Sequence, residues 1–318
     1  MNLGKWRFWA WPKELRRLGV LGMNSRNANY ILKSNPRKNF PNVDDKLRTK
    51  RICESRGIPV PVTFAAISRN GDIARWFEFV KERAEFVIKP AHGSGGRGIV
   101  VIASHDSETF VTPSGAILTS ADVRYHLSSV LSGLFSLGGQ PDTAIIEQRI
   151  VCHSSFQPYS VGGTPDIRVI VYRGVPVMAM VRLPTSASRG RANLHQGAIA
   201  AAVNLQTGTT FGGVCLNRPV DEHPDTGATI RGFQIPFWNQ VLTSSMELAD
   251  NLGLGYVGID FVIDETKGPL ILEANARPGL AIQVANRCGL APRMEKIDQE
   301  KVGLNPPNRR LEWLASEV

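Results

Sequence analysis

The chain has 318 residues, 42% hydrophobic and 20% charged, with a net charge of +9 from 37 Lys and Arg against 28 Asp and Glu. That length allows one large or two modest domains with real cores, and the composition excludes disordered and fibrous classes. No apolar run reaches membrane-spanning length and the first residues lack a secretory pattern; the four dispersed cysteines (Cys53, Cys152, Cys215, Cys288) lack metal-ligand spacing, so a reduced cytoplasmic setting is expected.

Residues 1–22 mix Trp6, Phe8, Trp9 and Trp11 with Lys5, Arg7, Lys13, Arg16 and Arg17. Pro12 suits a first helical position and Gly19 a helix stop. Segment 5–17 reads first as an arm docked on its own domain, and second as a membrane-surface or protein-binding element. Asp44 or Asp45 is expected to cap a helix running to about Glu54, with Gly57 ending it. An extended stretch follows over "IPVPVTFAAI", then a helix over about 72–83 carrying Ile73, Trp76, Phe77 and Val80. Strands 86–91 and 98–103 flank a glycine loop. Val123, Leu127, Val130, Leu131 and Leu134 mark another helix, and 143–151 a strand. Residues 166–183 read as two strands around a tight Arg173-Gly174 turn, and 184–197 as a basic polar loop. Pro236 opens a helix with Phe237, Val241, Leu248 and Leu252 on one face, closed by Gly253. Residues 256–279 form a hairpin entering a loop, and the charged stretch after Pro292 holds one short helix at 309–316. Adjacent strands joined by tight turns predict an α+β fold of mainly antiparallel sheets.

Two stretches carry chemistry. In the hairpin, symmetry about the turn "ETKG" (265–268) sets Asp260 opposite Glu273, on one face, and Asn275 joins that face two residues on. Two buried carboxylates repel unless a partner relieves them. A hard cation such as magnesium suits an oxygen-only set. A salt-bridged strand face, with Arg277 as partner, is the equal alternative. The second stretch is "FVIKPAHGSGGRGIVVI", where Lys89 ends a strand before Gly93, Ser94, Gly95, Gly96 and Gly98. Glycine amides can approach phosphate oxygens closely and the lysine adds charge. The following "IVVIAS" is strand-like, which argues against a dinucleotide-binding fingerprint, and the P-loop spacing is absent. A flap closing over a nucleotide and a plain surface hairpin both fit.

The ordered set "DDKLRTK…GIPVP", "FVIKPAHGSGGRGI", "AIIEQRI", "DIRVIVYRG", "NLHQGA" and "GIDFVID…LILEANARPG" resembles the ATP-grasp superfamily over about 44–290. "NLHQG" and "EANARPG" look like the ribosomal-protein glutamate ligase branch. "GMNSRNANYIL" with "VDDKLRTK" is closer to the α-L-glutamate-ligase-like, sugar-transfer-associated branch. The resemblance implies two α+β lobes clasping ATP: a small nucleotide lobe at about 60–145 and a larger metal and substrate lobe at about 146–290. An N-terminal arm (1–43) and a charged tail (291–318) flank them. It implies that Lys46 and Lys89 contact ATP phosphates from two sides, with the loop at Gly93, Ser94, Gly95, Gly96 and Gly98 as cover. Glu147, Gln148 and Ile150 would read adenine and ribose. Asp260, Glu273 and Asn275 would hold magnesium, usually two ions, with manganese a substitute. Arg277 would reach the transferred phosphate, and Arg168, Arg189, Arg191 and Asn193 would face the carboxylate substrate. Arg182 reads either as a substrate clamp or as a solvated strand end. His92 and His195 are candidates for taking the amine proton, a structural role being commoner for a lone histidine.

The implied activity is an ATP-dependent carboxylate–amine ligase working through an acyl phosphate, with glutamate, another amino acid, a peptide or a sugar-linked amine among its substrates. Phosphorylation is needed because a carboxylate oxygen is a poor leaving group. Catalytic weight would fall on Arg277, Arg168, Lys89 and Asn193. A non-catalytic ATP-binding or assembly protein is the alternative. A nucleic-acid binder ranks last, since no base-reading motif is present and no specific nucleic acid is expected. Fewer residues precede Lys46 than in complete family members, so a partner subunit is a candidate to supply the missing substrate wall, and the chain is separately a candidate homo-oligomer.

Overall fold

The computed structural model describes residues 11–93 and 95–316. The expectations for Trp6, Phe8, Trp9, Lys5, Arg7 and Ser94 lie outside the described residues. The first lobe holds β1 (Thr63–Ile67), β2 (Phe86–Pro90), β3 (Val100–Ile102), β4 (Ser104–His105), β5 (Thr109–Val111), β6 (Ile117–Thr119) and β7 (Ala144–Glu147). Its four-stranded antiparallel sheet has the order β1-β7-β2-β3, and β4-β5-β6 form a small second sheet. Trp76, Phe86, Phe110, Val123 and Leu127 fill the core between them.

The second lobe holds β8 (Asp166–Tyr172), β9 (Val175–Leu183), β10 (Ile199–Val203), β11 (Thr210–Cys215), β12 (Arg218–Val220), β13 (Tyr256–Asp264) and β14 (Gly268–Asn275). They form one antiparallel sheet in the order β12-β11-β10-β9-β8-β13-β14. Arg173 and Gly174, both at positive φ (47° and 73°), make the two-residue turn between β8 and β9. Ile167, Val169 and Val171 enter one core, while Ile170 and Tyr172 enter the other. This is the strand period of two with both faces covered, which is why 166–183 reads as nearly unbroken apolar sequence.

The helices that frame the two lobes and the cleft are α1 (Pro12–Arg17), α2 (Lys46–Ser55), α3 (Ser120–Leu131), α4 (Trp238–Leu252), α5 (Ile282–Asn286), α6 (Ala291–Gln299) and α7 (Pro307–Ser316). α4 covers one face of the large sheet through Val241, Leu242, Leu248 and Leu252. The other face is covered by Leu21, Tyr30, Ile31, Ile282, Met294 and Ile297. Segments 21–44 and 291–314, placed outside the lobes by sequence, are thus layers of the large lobe. The tail has two helices where one was expected, because Ala291, Met294 and Ile297 make a narrow apolar stripe on otherwise charged α6.

Smaller differences have local causes. The helix read at 72–83 is a tight three-residue-per-turn run over Asn70–Phe79, with Ile73 and Trp76, three apart, buried. Leu134 is 67% exposed, since Gly133 at φ 83° ends α3 before it. Phe237, at φ 56°, precedes α4 and stays exposed while Trp238 takes the core position. β7 stops at Glu147 because the chain then crosses to the large lobe, where the Val151 and His153 N–H groups donate to Asp264 Oδ2 and the Ile263 carbonyl.

Candidate active site

α2 begins where Asp45 Oδ1 accepts the Leu47 and Arg48 N–H groups at 2.9 and 3.4 Å. Lys46 and Lys50, four residues apart, share one helix face. Opposite them, strand register assembles a charged patch. Glu147 pairs with Thr63 on one side and Val87 on the other, and Lys89 is two residues from Val87, so Thr63, Glu147 and Lys89 share a sheet face. Glu147 Oε1 lies 2.5 Å from Lys89 Nζ. Its Oε2 accepts from Lys50 Nζ, which also donates to Thr63 Oγ1 at 2.8 Å. All three charged residues are buried. Burial alone would raise the Glu147 carboxyl pKa, but Lys89 and Lys50 outweigh it and hold it below the usual range. Burial lowers the Lys50 pKa against the pull of Glu147.

The resemblance implies that Glu147, Gln148 and Ile150 read adenine through backbone groups and ribose through a side chain; the structure sets the Glu147 carboxylate on two lysines. Lys50 was missed altogether, since a lysine on a charged helix reads as solvated. Its spacing of four from Lys46 was the available signal. Gln148 Oε1 accepts from Lys267 Nζ at 2.5 Å and the Gln148 N–H donates to the Val62 carbonyl, while Ile150 lies beyond the strand.

The glycine loop closes over the lysines. Gly95, Gly96 and Gly98 sit at φ 64°, 73° and 75°, left-handed geometry that glycine adopts without strain. Lys46 Nζ donates to the Gly93 carbonyl at 2.6 Å and reaches the Ala91 carbonyl at 3.5 Å. Lys46, Lys89, Gly93, Gly95, Gly96 and Glu273 line a cleft of about 50 Å³. Ligand pockets are typically about 300–1,000 Å³, so the cleft between Lys46 and the loop is narrower than a nucleotide site as it stands. Beside the loop, His92 Nδ1 lies 2.7 Å from Asp142 Oδ1, and the His92 N–H donates to both Asp142 oxygens.

On the large lobe, Asp260 stands opposite Glu273 and Gly258 opposite Asn275. Nearer the turn the partners are Phe261–Ile271 and Asp264–Gly268, so a bulge at Leu272 shifts the register by one. Symmetry about the turn therefore finds the right pair for an incomplete reason. Glu273 lies 3.8 Å from Lys46 Nζ and is part-exposed, and Asn275 is exposed.

Asp260 is buried, and its partners are not Arg277. Arg168 donates from Nε to Oδ1 at 2.7 Å and from Nη2 to Oδ2 at 2.5 Å. Arg182 Nη2 donates to Oδ2 at 2.8 Å, and Arg182 also holds Asp166 through Nε and through Nη2 at 2.6 Å. Burial would raise the Asp260 pKa; Arg168 and Arg182 hold it well below the carboxylate range. Burial pushes the Asp166 carboxyl up, to about 6, against the pull of Arg182 and with the Asp260 charge adding. Arg182 is thus no solvated strand end, and Arg168 and Arg182 direct these donors at aspartates rather than into open space. Arg277 is exposed, its guanidinium 5.2 Å from the Phe40 ring centre. In the 184–197 loop, Arg189, Arg191 and His195 are exposed and line no part of the lysine cleft, while Asn193 Oδ1 accepts the His195 N–H at 3.0 Å.

Residues 25–299 match the model of the sugar-transfer-associated ATP-grasp family. The chain belongs to this family. A probable alpha-L-glutamate ligase of Legionella pneumophila (strain Corby) is 24% identical over 297 residues, 93% of this chain and 74% of that protein. A probable alpha-L-glutamate ligase of Aeromonas salmonicida (strain A449) is 25% identical over 236 residues, 74% of this chain and 57% of the relative. Among solved structures, the ATP-analogue complex of Campylobacter jejuni biotin carboxylase superposes with a TM-score of 0.54 at 15% identity, over 87% of this chain and 53% of that one. The ATP-grasp fold is therefore as expected: two α+β lobes with antiparallel sheets.

Proposed function

We propose that the chain is an ATP-dependent ligase that joins a carboxylate to an amine through an acyl phosphate, with an amino acid such as glutamate, or a peptide, among its substrates. The observation that carries this reading is the meeting of Lys46, Lys89, the glycine loop and Glu273 around one cleft. Lys46 and Lys89 supply fixed positive charge where phosphate oxygens would sit. The loop, once closed, keeps water from an intermediate that hydrolyses readily. The amine then displaces phosphate from the activated carbonyl, giving the amide, ADP and phosphate, and no protein nucleophile is required.

The donor set on β13 and β14 fits a hard cation: two carboxylates and an amide, with oxygen the only donor atom. A carboxylate has about four lone-pair sites, and Asp260 uses three on guanidinium N–H groups, leaving one on Oδ1. Asp260, Glu273 and Asn275 would hold magnesium, which when bound neutralises charge on the triphosphate oxygens. Arg168 and Arg182 keep Asp260 ionised and oriented for that role, a positioning task distinct from substrate contact. Arg277 and the exposed Arg189 and Arg191 remain candidates for the acid's carboxylate.

ADP release, screened over amino acids and short peptides as acid and amine, tests the reading. Turnover is expected with at least one acid–amine pair. ATP binding without ADP release for any pair would sink the ligase proposal. So would unchanged turnover in Glu273→Gln, whose part-exposed side chain can change without unfolding the sheet.

A further inference from the structure

α1 has no buried residue, although the chain just after it is fixed to the large lobe. The Leu21 N–H donates to Gln283 Oε1 at 2.8 Å, and Gln283 Nε2 donates to the Leu21 carbonyl at 3.0 Å. The Gly19 carbonyl accepts the Ala291 N–H at 3.1 Å. The helix is thus carried outward on a firm mount. Trp11, Leu15 and Leu18 fall on one side of it by spacing, and they are 69%, 37% and 58% exposed. Lys13, Arg16 and Arg17 occupy the opposite side, Glu14, the single acid of the helix, borders the apolar side three residues from Trp11 and four from Leu18, and Lys5 and Arg7 precede in sequence. The apolar side continues into a groove of about 400 Å³ that includes Leu18, Val177, Phe211 and Leu314, with Phe211 39% exposed.

We infer that α1 and the groove rim dock on an anionic lipid surface. Apolar side chains on one side and long basic chains on the other are what an interfacial helix needs: the first enter the acyl boundary and the second reach acidic headgroups. Neither signal suffices alone, since a helix of six residues buries too little to hold a protein on a neutral bilayer. Charge complementarity selects an acidic surface over a neutral one. A ligase held there would meet acceptors presented at a membrane, but the docking itself requires no nucleotide and stands or falls separately from the ligase reading.

Co-sedimentation of the full chain with phosphatidylserine–phosphatidylcholine vesicles, and with phosphatidylcholine alone, tests this. Sedimentation with the mixed vesicles at low salt, release by added salt and little with phosphatidylcholine are expected. Lys13→Gln, Arg16→Gln and Arg17→Gln together should weaken partitioning by about a hundredfold. Trp11→Ser, Leu15→Ser and Leu18→Ser together should abolish it, with thermal midpoints unchanged because α1 contributes no buried side chain and Trp11 and Leu18 are exposed. Absence of sedimentation at low salt, equal sedimentation with phosphatidylcholine, or an unaffected serine variant overturns the proposal. So does a wild-type dimer that the serine variant dissociates while vesicles bind neither, which would give this face to a second copy of the chain.

Discussion

Replacing Lys50 and Glu147, singly and together, isolates the buried triad beneath the glycine loop. In Lys50→Met the methionine fills most of the lysine stem, Glu147 keeps Lys89 at 2.5 Å, and Thr63 loses a donor. One charge-assisted bond disappears, costing about 2 kcal/mol. Glu147→Gln is worse. It leaves two ammonium groups, each under a tenth exposed, facing each other without a counter-charge, and breaking a buried pair this way costs about 3–5 kcal/mol. In the double variant only Lys89 lacks its carboxylate, so the loss should fall about 2 kcal/mol short of the summed singles, within the coupling usual for residues in contact. Urea unfolding at neutral pH, followed through the small lobe's Trp76, measures all three. Additivity within about 0.5 kcal/mol, or a Glu147→Gln variant milder than Lys50→Met, would show that Glu147 does not bridge the two lysines.

Three more outcomes are expected of the same structure. Because its lysines hold Glu147 below the usual carboxylate range, its contribution to stability is complete above the unfolded pKa of about 4.3. It is lost as pH falls through the lower folded value. Urea midpoints measured down that range should drop more steeply for wild type than for Glu147→Gln. Gly98→Ala places a Cβ 2.5 Å from the Phe135 ring at φ 75°, whereas Gly95→Ala at φ 64° meets no atom within 4 Å. Thermal midpoints should therefore show Gly95→Ala costing only the left-handed strain of about 1–2 kcal/mol and Gly98→Ala clearly more. Asn35 is buried and brackets Tyr256, donating to its carbonyl at 2.7 Å and accepting its N–H at 2.8 Å. Asn35→Ala should cost about 1–3 kcal/mol and speed hydrogen exchange at the Tyr256 amide.

The strands and turns that organise the large lobe were legible because their signals are local. The turn at 265–268 marks the hairpin around it, the Arg173-Gly174 pair marks a turn, and Asp44 or Asp45 marks a helix start. β10 was not legible. Its sequence, Ile199 to Val203 through three alanines, is buried on both faces and lacks both alternation and bulk. Glycines in β11 hid that strand in the same way. In the site, Asp260 and Glu273 could be paired by arithmetic along one hairpin. Lys50, Glu147 and Asp166 could not, because their partners arrive from other elements: α2 against β7, and β8 against β9 and β13. Whether a lysine or arginine serves a ligand or a neighbouring acid is a tertiary fact, and a single strand's residues do not contain it.

The bulge at Leu272 divides the hairpin into two halves of different register, each held by its own contacts. The tip is clamped on its own, with Asp264 Oδ1 accepting the Thr266 and Lys267 N–H groups at 3.0 Å and Lys267 reaching Gln148. The base is aligned by the neighbouring strand, where Asp260 pairs with Arg168. Lengthening or grafting at Thr266 should therefore strain the clamp first, while β8 holds the alignment of Asp260 with Glu273.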